Sequence, residues 1–318
     1  MKIFVTGAAG FIGFSLSLEL LKKKHTVYAI DNLDDYYSLK LKKKRLKILK
    51  KYKKFKFKKI DISKKNQIYN YLKKKEFDVI FHFAAQAGVR YSIINPKKYI
   101  KTNIKGFQNI LKILEKKKFK VMFYASSSSV YGDTKKFPLK ENFKLYPKNL
   151  YAKTKVQNEK DVIKSVKRNK KKIIGLRFFT IYGEWGRPDM LILKLLSYMK
   201  NKKIFELNNG GDHFRDFTYI KDVIRILVRM IYIDEFKYKI YNICSSKPIF
   251  IKRVVKKFTL ITNYKLIKNI KKNKLDVYKT FGDNKKITNL VKFRKFTKFE
   301  NGLKNTISWY KKFGYKYF

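Results

Sequence analysis

Thr6-Gly7-Ala8-Ala9-Gly10-Phe11-Ile12-Gly13 follows directly on the apolar run Ile3-Phe4-Val5, and its reading decides the fold. Spaced glycines alone are a weak signal. Here they sit between an apolar strand and an amphipathic helix that starts near Phe11, which is the context a nucleotide-binding turn requires. Gly7 allows the tight turn, Gly10 lets the backbone approach a pyrophosphate, and Gly13 lets the helix pack on the strand. The amino terminus of that helix, at Phe11, Ile12 and Gly13, then faces the diphosphate.

Outward from this turn, short apolar runs at 2–6, 26–30, 55–60, 78–83, 120–126 and 172–180 read as strands, alternating with lysine-rich stretches of helical periodicity. Alternation of that kind implies parallel βαβ units, hence an α/β protein of Rossmann type: a doubly wound parallel sheet with helices on both faces. Ligands in such sheets bind at the carboxyl ends of the strands. After Gly183 the rhythm breaks at Trp185-Gly186-Arg187-Pro188-Asp189, and the elements from 189 to 318 read as short and irregular. We therefore expect a nucleotide-binding domain over 1–183, with a segment at about 215–245 returning to it. A smaller, mixed α/β substrate lobe is expected over 184–318. No internal repeat is evident.

Asp31 closes the second strand, 18 residues after Gly13, where a carboxylate can accept hydrogen bonds from both ribose hydroxyls of an adenosine. An acid there repels a 2′-phosphate, so NAD is expected in preference to NADP, although Lys42, Lys43 and Arg45 lie nearby. Asp61-Ile62, after the third strand, is placed to frame the adenine. Ala84-Ala85-Gln86 supplies small residues where the cofactor passes close to the backbone, and Asn32, Lys42 and Asn103 complete the expected cofactor set.

Tyr151 and Lys155 stand four residues apart in a helical stretch and share a face. A phenol with a pKa of about 10 is a poor base at neutral pH, and bringing it to about 7 takes roughly 4 kcal/mol of preferential stabilisation of the phenolate. Lys155 and a positive nicotinamide ring are the expected sources. Lys155 would also hold the nicotinamide ribose. Ser127, in the run Ser126 to Ser129 at the end of a strand, is placed to share a proton with a sugar hydroxyl and with Tyr151. Ser128 and Ser129 precede Val130-Tyr131-Gly132, and they are hydroxyls, not acids. Eliminating water from a keto intermediate needs a carboxyl group to donate a proton, whereas reversible oxidation and reduction does not.

The chain resembles the extended short-chain dehydrogenase/reductases, and within them the UDP-glucuronate 4-epimerases, over nearly its whole length. The residues that carry the resemblance are Asp31-Asn32-Leu33-Asp34-Asp35-Tyr36-Tyr37, Ala84 to Ser92, Ala125 to Gly132, Leu176 to Gly183, Trp185 to Met190, and Arg215-Asp216-Phe217-Thr218-Tyr219-Ile220. It implies oxidation of a UDP-hexuronate at carbon 4 by bound NAD, followed by return of the hydride to the other face of the keto sugar. By the same resemblance Tyr151 is the catalytic base, with Lys155 and Ser127. Arg215 contacts the diphosphate, Arg90 and Arg187 assist it or orient the uronate, and Thr180 with Ser127, Ser128 and Ser129 holds the carboxylate. Where the family shows a Pro-Gly-Asp-Val step this chain reads Lys274-Leu275-Asp276-Val277, and Asp276 is assigned to the uridine ribose. The resemblance also implies a homodimer, built from the helices around 97–116 and 149–169.

Composition adds bounds. Lys+Arg 79 against Asp+Glu 23 gives a net charge of +56, but lysine is spread through nearly every segment, as a drift toward A/T-rich codons would produce. No specific nucleic-acid partner is expected, only salt sensitivity and non-specific affinity for polyanions. The lone Cys244 excludes an internal disulfide framework and offers no metal cluster, so no metal site is expected and a reducing cytoplasm fits. No apolar run reaches the roughly 18 residues a membrane-spanning helix needs. Two other readings stand beside the uronate one: a 4-epimerase of UDP-glucose using the same machinery, and a Rossmann protein that binds NAD without turnover.

Overall fold

The computed structural model describes residues 1–271 and 277–318. Seven parallel strands form the central sheet: β1 (Lys2–Thr6), β2 (Thr26–Asp31), β3 (Phe55–Lys59), β4 (Val79–His82), β5 (Val121–Ser127), β6 (Ile173–Phe178) and β10 (Ile240–Ile243), in the order β10-β6-β5-β4-β1-β2-β3. This is the expected doubly wound α/β sheet. The central strands β1 and β4 are buried on both faces and read as nearly continuous apolar runs, whereas the edge strand β3 alternates Phe and Lys.

Successive side chains of each strand feed opposite layers. Ile3, Val5, Phe81 and Phe123 point to the layer that holds Phe14, Leu16 and Leu20 of α1 (Phe11–Lys22) and the helix Ile220–Met230. Phe4, Ile80 and Met122 point to the other layer, with Ile68 and Leu72 of α3 (Lys65–Leu72). Ile110, Leu111 and Leu114 of α6 (Phe107–Glu115) complete that layer. Burying side chains of this size contributes about 1.5–3 kcal/mol each. Between β2 and β3 lies α2 (Leu39–Leu49). Between β4 and α6 the chain makes α4 (Tyr91–Ile94), α5 (Pro96–Tyr99) and a π-helical turn over Ile100–Gly106.

Two features differ from the reading of the sequence. The apolar run 172–180 is not one strand: Phe179 donates its amide to Ile243, and Thr180 turns away to begin β7 (Thr180–Tyr182) in a second sheet. There β7 pairs with β9 (Phe214–Tyr219), which pairs in turn with β11 (Pro248–Phe250). The segment after 189 is also more regular than expected, with helices at Leu191–Lys200, Ile251–Thr262 and Phe299–Lys312, and a parallel pair β8 (Phe205–Asn208) and β12 (Ile267–Ile270). In the last of these helices Phe299, Leu303, Thr306, Ile307 and Tyr310 are buried at helical spacing. Abundant lysine around these positions masks the helical pattern in the sequence.

Candidate active site

At the carboxyl ends of the central strands opens a cleft of about 460 Å³. Gly7 lies at φ +72°, where a Cβ would stand 2.8 Å from the amide nitrogen of Ala84, and a Cβ on Gly13 would stand 2.2 Å from the carbonyl oxygen of Gly7. Both positions therefore require glycine, one for its backbone conformation and one for helix-on-turn contact. Gly10, Phe11, Ile12 and Gly13 line the cleft, and no side chain caps α1. Its first amides are thus open to an anion from the cleft.

Asp31 is buried at the end of β2, accepting from the amides of Ala9 (3.0 Å) and Leu33 (2.8 Å). Burial pushes its carboxyl up, against the pull of Lys42 and of the two amides. Each carboxylate oxygen keeps acceptor capacity for a hydroxyl. Arg45 is fully buried and committed to carbonyls: it donates to Ala9 (2.8 Å), Gly186 (2.9 Å) and Trp185, and to the Tyr37 hydroxyl (2.8 Å). Lys42 donates to the Asp34 carbonyl and lies over the Tyr37 ring. Arg45 is spent on binding the glycine turn to the 185–186 loop, so it is not a receptor for a 2′-phosphate. These groups fit a nicotinamide dinucleotide: an uncapped helix terminus for the diphosphate and a buried carboxylate for the ribose.

The long helix α7 (Leu150–Asn169) presents the reacting groups. Asn149 caps it by accepting the amide of Ala152 (2.9 Å), which sets Tyr151 in the first turn. Tyr151 hydrogen-bonds with Ser127. Its phenol is pushed up by burial, more than the Ser127 bond and the field of Arg187 pull it down. The expectation that Lys155 makes the phenol basic is thus not met by the protein alone. The Lys155 ammonium lies 5.9 Å from the centroid of the phenol ring, donates to the Ala125 carbonyl (2.8 Å), and has its pKa pushed down by burial to about 8. Ser127 accepts from the Ser129 amide (3.2 Å) and hydroxyl (2.9 Å), ordering the serine run as a short 3₁₀ turn.

The same cleft gathers Asn32, Lys42, Ile62, Ala84, Ala85, Gln86, Ser128, Thr180, Arg187 and Arg215. Three sequence candidates lie outside its lining. Asp61 accepts from Ser63 as a turn cap, Asn103 brackets the backbone of Gln86 from behind through bonds of 2.8 and 3.0 Å, and Arg90 is exposed at the start of α4. Asp276 falls outside the described residues. Arg187 pairs with Asp189, which also accepts from the Tyr36 hydroxyl (3.0 Å). The reading of the sequence missed this cluster, as it missed Asp34, Lys148 and Asn149 in the cleft wall. The only acids among the described lining residues are Asp31 and Asp34, both beside β2 and remote in sequence from the serine run.

A glycine turn, an acid at the second strand and a Tyr-Lys-Ser set at the sheet's carboxyl edge define a short-chain dehydrogenase/reductase site. The chain belongs to the NAD dependent epimerase/dehydratase family, whose profile matches residues 3–244. It is 42% identical over 317 residues to an uncharacterized protein of Methanocaldococcus jannaschii, covering 97% of this chain and 96% of that one. It is 34% identical over 310 residues to the UDP-glucuronate 4-epimerase of Thermodesulfobacterium geofontis, covering 96% and 95%. The crystal structure of UDP-glucuronic acid 4-epimerase from Bacillus cereus in complex with UDP-glucuronic acid and NAD superposes with a TM-score of 0.89 at 29% identity, covering 98% of this chain and 99% of that one.

Proposed function

We propose that this protein is an NAD-dependent UDP-sugar 4-epimerase that interconverts UDP-glucuronate and UDP-galacturonate through a 4-keto intermediate. The observation that carries the reading is the cleft itself: Tyr151, Lys155 and Ser127 meet beside the glycine turn, and no acid lines the wall at the serine run among the described residues. NAD, when bound, supplies the acceptor for the hydride of carbon 4 and the donor for its return. Gly7, Gly10, Phe11, Ile12 and Gly13 would hold its diphosphate, Asp31 with Asn32 its adenosine ribose, and Lys155 its nicotinamide ribose.

Tyr151 takes the proton of the sugar 4-hydroxyl and gives it back after the keto sugar has turned over. Ser127, already bonded to Tyr151, donates to the ketone oxygen as it develops. Burial raises the Tyr151 phenol, and the positive charge of an oxidised nicotinamide ring, when bound, would favour its phenolate. A 4-keto uronate is a β-keto acid and loses carbon dioxide readily. Thr180, Ser128 and Ser129 hold its carboxylate against the rotation that would align the breaking bond, while Arg187 and Arg215 supply cationic contacts to carboxylate and diphosphate.

Incubating purified protein with UDP-glucuronate and identifying the product tests this reading: UDP-galacturonate supports it, whereas a UDP-pentose or unchanged substrate overturns it. UDP-glucose in parallel separates the neutral-sugar 4-epimerase. We also propose a homodimer through the helices around 97–116 and 149–169, supported by exposed Ile100 and Ile163 on those elements. A cytoplasmic location, a cofactor domain over 1–183 with a returning segment at about 215–245, and a UDP-sugar-binding lobe mainly over 184–318 are parts of the same proposal.

A further inference from the structure

Three consecutive residues at the end of β5 are fastened to α7 by three residues one helical turn apart. The Ala125 carbonyl accepts from Lys155 (2.8 Å), the Ser126 hydroxyl donates to Glu159 (2.6 Å), and Ser127 bonds to Tyr151. Lys155 and Tyr151 have roles in the proposed chemistry, but Glu159 does not. It is a carboxylate almost entirely out of solvent, held at both oxygens by Arg177 of β6 (Nε 2.9 Å, Nη2 2.7 Å), which stands beside Ser126 in the sheet. Arg177 is fixed in turn by the Tyr131 hydroxyl (2.9 Å) and the Glu141 carbonyl (3.0 Å). A buried ion pair is weak evidence for stability, because desolvation offsets the attraction, so its presence under the reacting helix calls for another reason.

We propose that Glu159 is a positioning residue of the active site, the buried anion one helical turn from Lys155 that holds the end of β5 on α7 and so sets the serine run beside Tyr151. The inference rests on the functional reading above and deepens it. Lys155 is walled by sheet and helix, and the charged or titratable groups around it are few. Glu159 lies one turn on along α7 with Arg177 behind it, Tyr151 one turn back, and His82 of β4 across the sheet end. His82 is neutral, its pKa pushed down by burial and by Lys155, and it supplies no negative charge. Burial already lowers Lys155 to about 8, and Glu159 is what opposes that fall. Without it nothing among these groups would oppose the loss of charge that burial favours at Lys155.

The test uses Glu159→Gln and the double variant Glu159→Gln/Arg177→Met, which removes both charges and leaves none orphaned. NAD affinity, read by tryptophan fluorescence from pH 6 to 10, should be lost on the alkaline side as Lys155 deprotonates. That limb should move down by about one pH unit or more in both variants, while the double variant regains most of the melting temperature lost by the single one. With UDP-glucuronate, kcat at pH 8 should fall about tenfold with little change in KM. If the limb stays where the wild type has it in both variants while only the melting temperature moves, Glu159 is structural and the proposal is overturned. A limb shifted in the single variant alone would assign the effect to an orphaned Arg177 and overturn it equally. Should wild-type protein bind NAD with this limb yet leave UDP-glucuronate unchanged, the functional reading fails while the role of Glu159 stands on the binding data.

Discussion

In the free protein the burial of Tyr151 works against its use as a base, and that conflict separates its chemical role from its structural one. Substituting Tyr151→Phe removes one hydroxyl bonded to Ser127, a change of about 1 kcal/mol in stability. The proton-transfer function is lost outright, so epimerisation should fall by about 10²–10⁴-fold while the thermal melt and NAD binding stay near wild type. Loss of turnover with an equal collapse of the melt would place Tyr151 in the fold instead. His82 offers a pH test in the same neighbourhood. Its Nδ1 lies 2.7 Å from the Thr6 hydroxyl, Nε2 has no partner, and burial pushes its pKa to about 3. The imidazole of the unfolded chain takes up its proton near pH 6.5, so between about 6.5 and 3 the unfolded state binds more protons and stability falls on acidification. His82→Asn, which can keep the Thr6 bond, should flatten that acid limb in denaturant melts at pH 4, 5.5 and 7. An unchanged slope would assign the acid sensitivity elsewhere.

At the scale of elements, the site is a joint between one turn and two helices. The glycine turn holds α1 against β1, and Arg45 ties the same turn to the loop that carries Arg187. Gly13→Ala would drive a methyl group to within 2.2 Å of the Gly7 carbonyl, which must shift. We expect a loss of about 1–3 kcal/mol and NAD affinity weakened more than the stability loss alone explains, read by thermal melts with and without NAD. Wild-type affinity in the folded variant would show that helix-on-turn contact does not shape the cofactor site. In α7 the Asn149 cap and the four-residue spacing place Tyr151 and Lys155 by local rules, whereas the bonds that join Ala125 to Lys155 and Ser126 to Glu159 bring the end of β5 to them.

The whole molecule carries +56 charges with few acids to offset them, and the wall of the cleft includes Lys42, Lys148, Lys155, Arg187 and Arg215. Salt should therefore act in two opposed ways. Screening self-repulsion stabilises the fold, so the melting temperature should rise from low ionic strength to about 0.5 M salt, where the Debye length falls to about 4 Å. Screening also weakens capture of a UDP-sugar anion, so KM should rise over the same range with kcat little changed. A flat melting temperature would mean the lysines are too dispersed to repel one another measurably.

How much of this was readable in advance follows the range of each interaction. The strand, glycine turn and helix at 2–22, the acid at Asp31 and the Tyr151–Lys155 spacing rest on contacts among near neighbours in the chain, and the sequence alone determined them, because backbone geometry and helical periodicity act locally. It also marked the members of the cleft wall through motif spacing, from Ala84 to Thr180. Only the tertiary structure decided the break at Phe179, the pairing of Arg187 with Asp189 and Tyr36, the retreat of Asp61, Asn103 and Arg90 from the cleft wall, and the burial of Glu159 with Arg177. Each of these depends on which distant segments the sheet order brings together. In a chain where nearly every segment carries lysine, charge and periodicity cannot single out a partner, and only packing makes one carboxylate face one cation away from water.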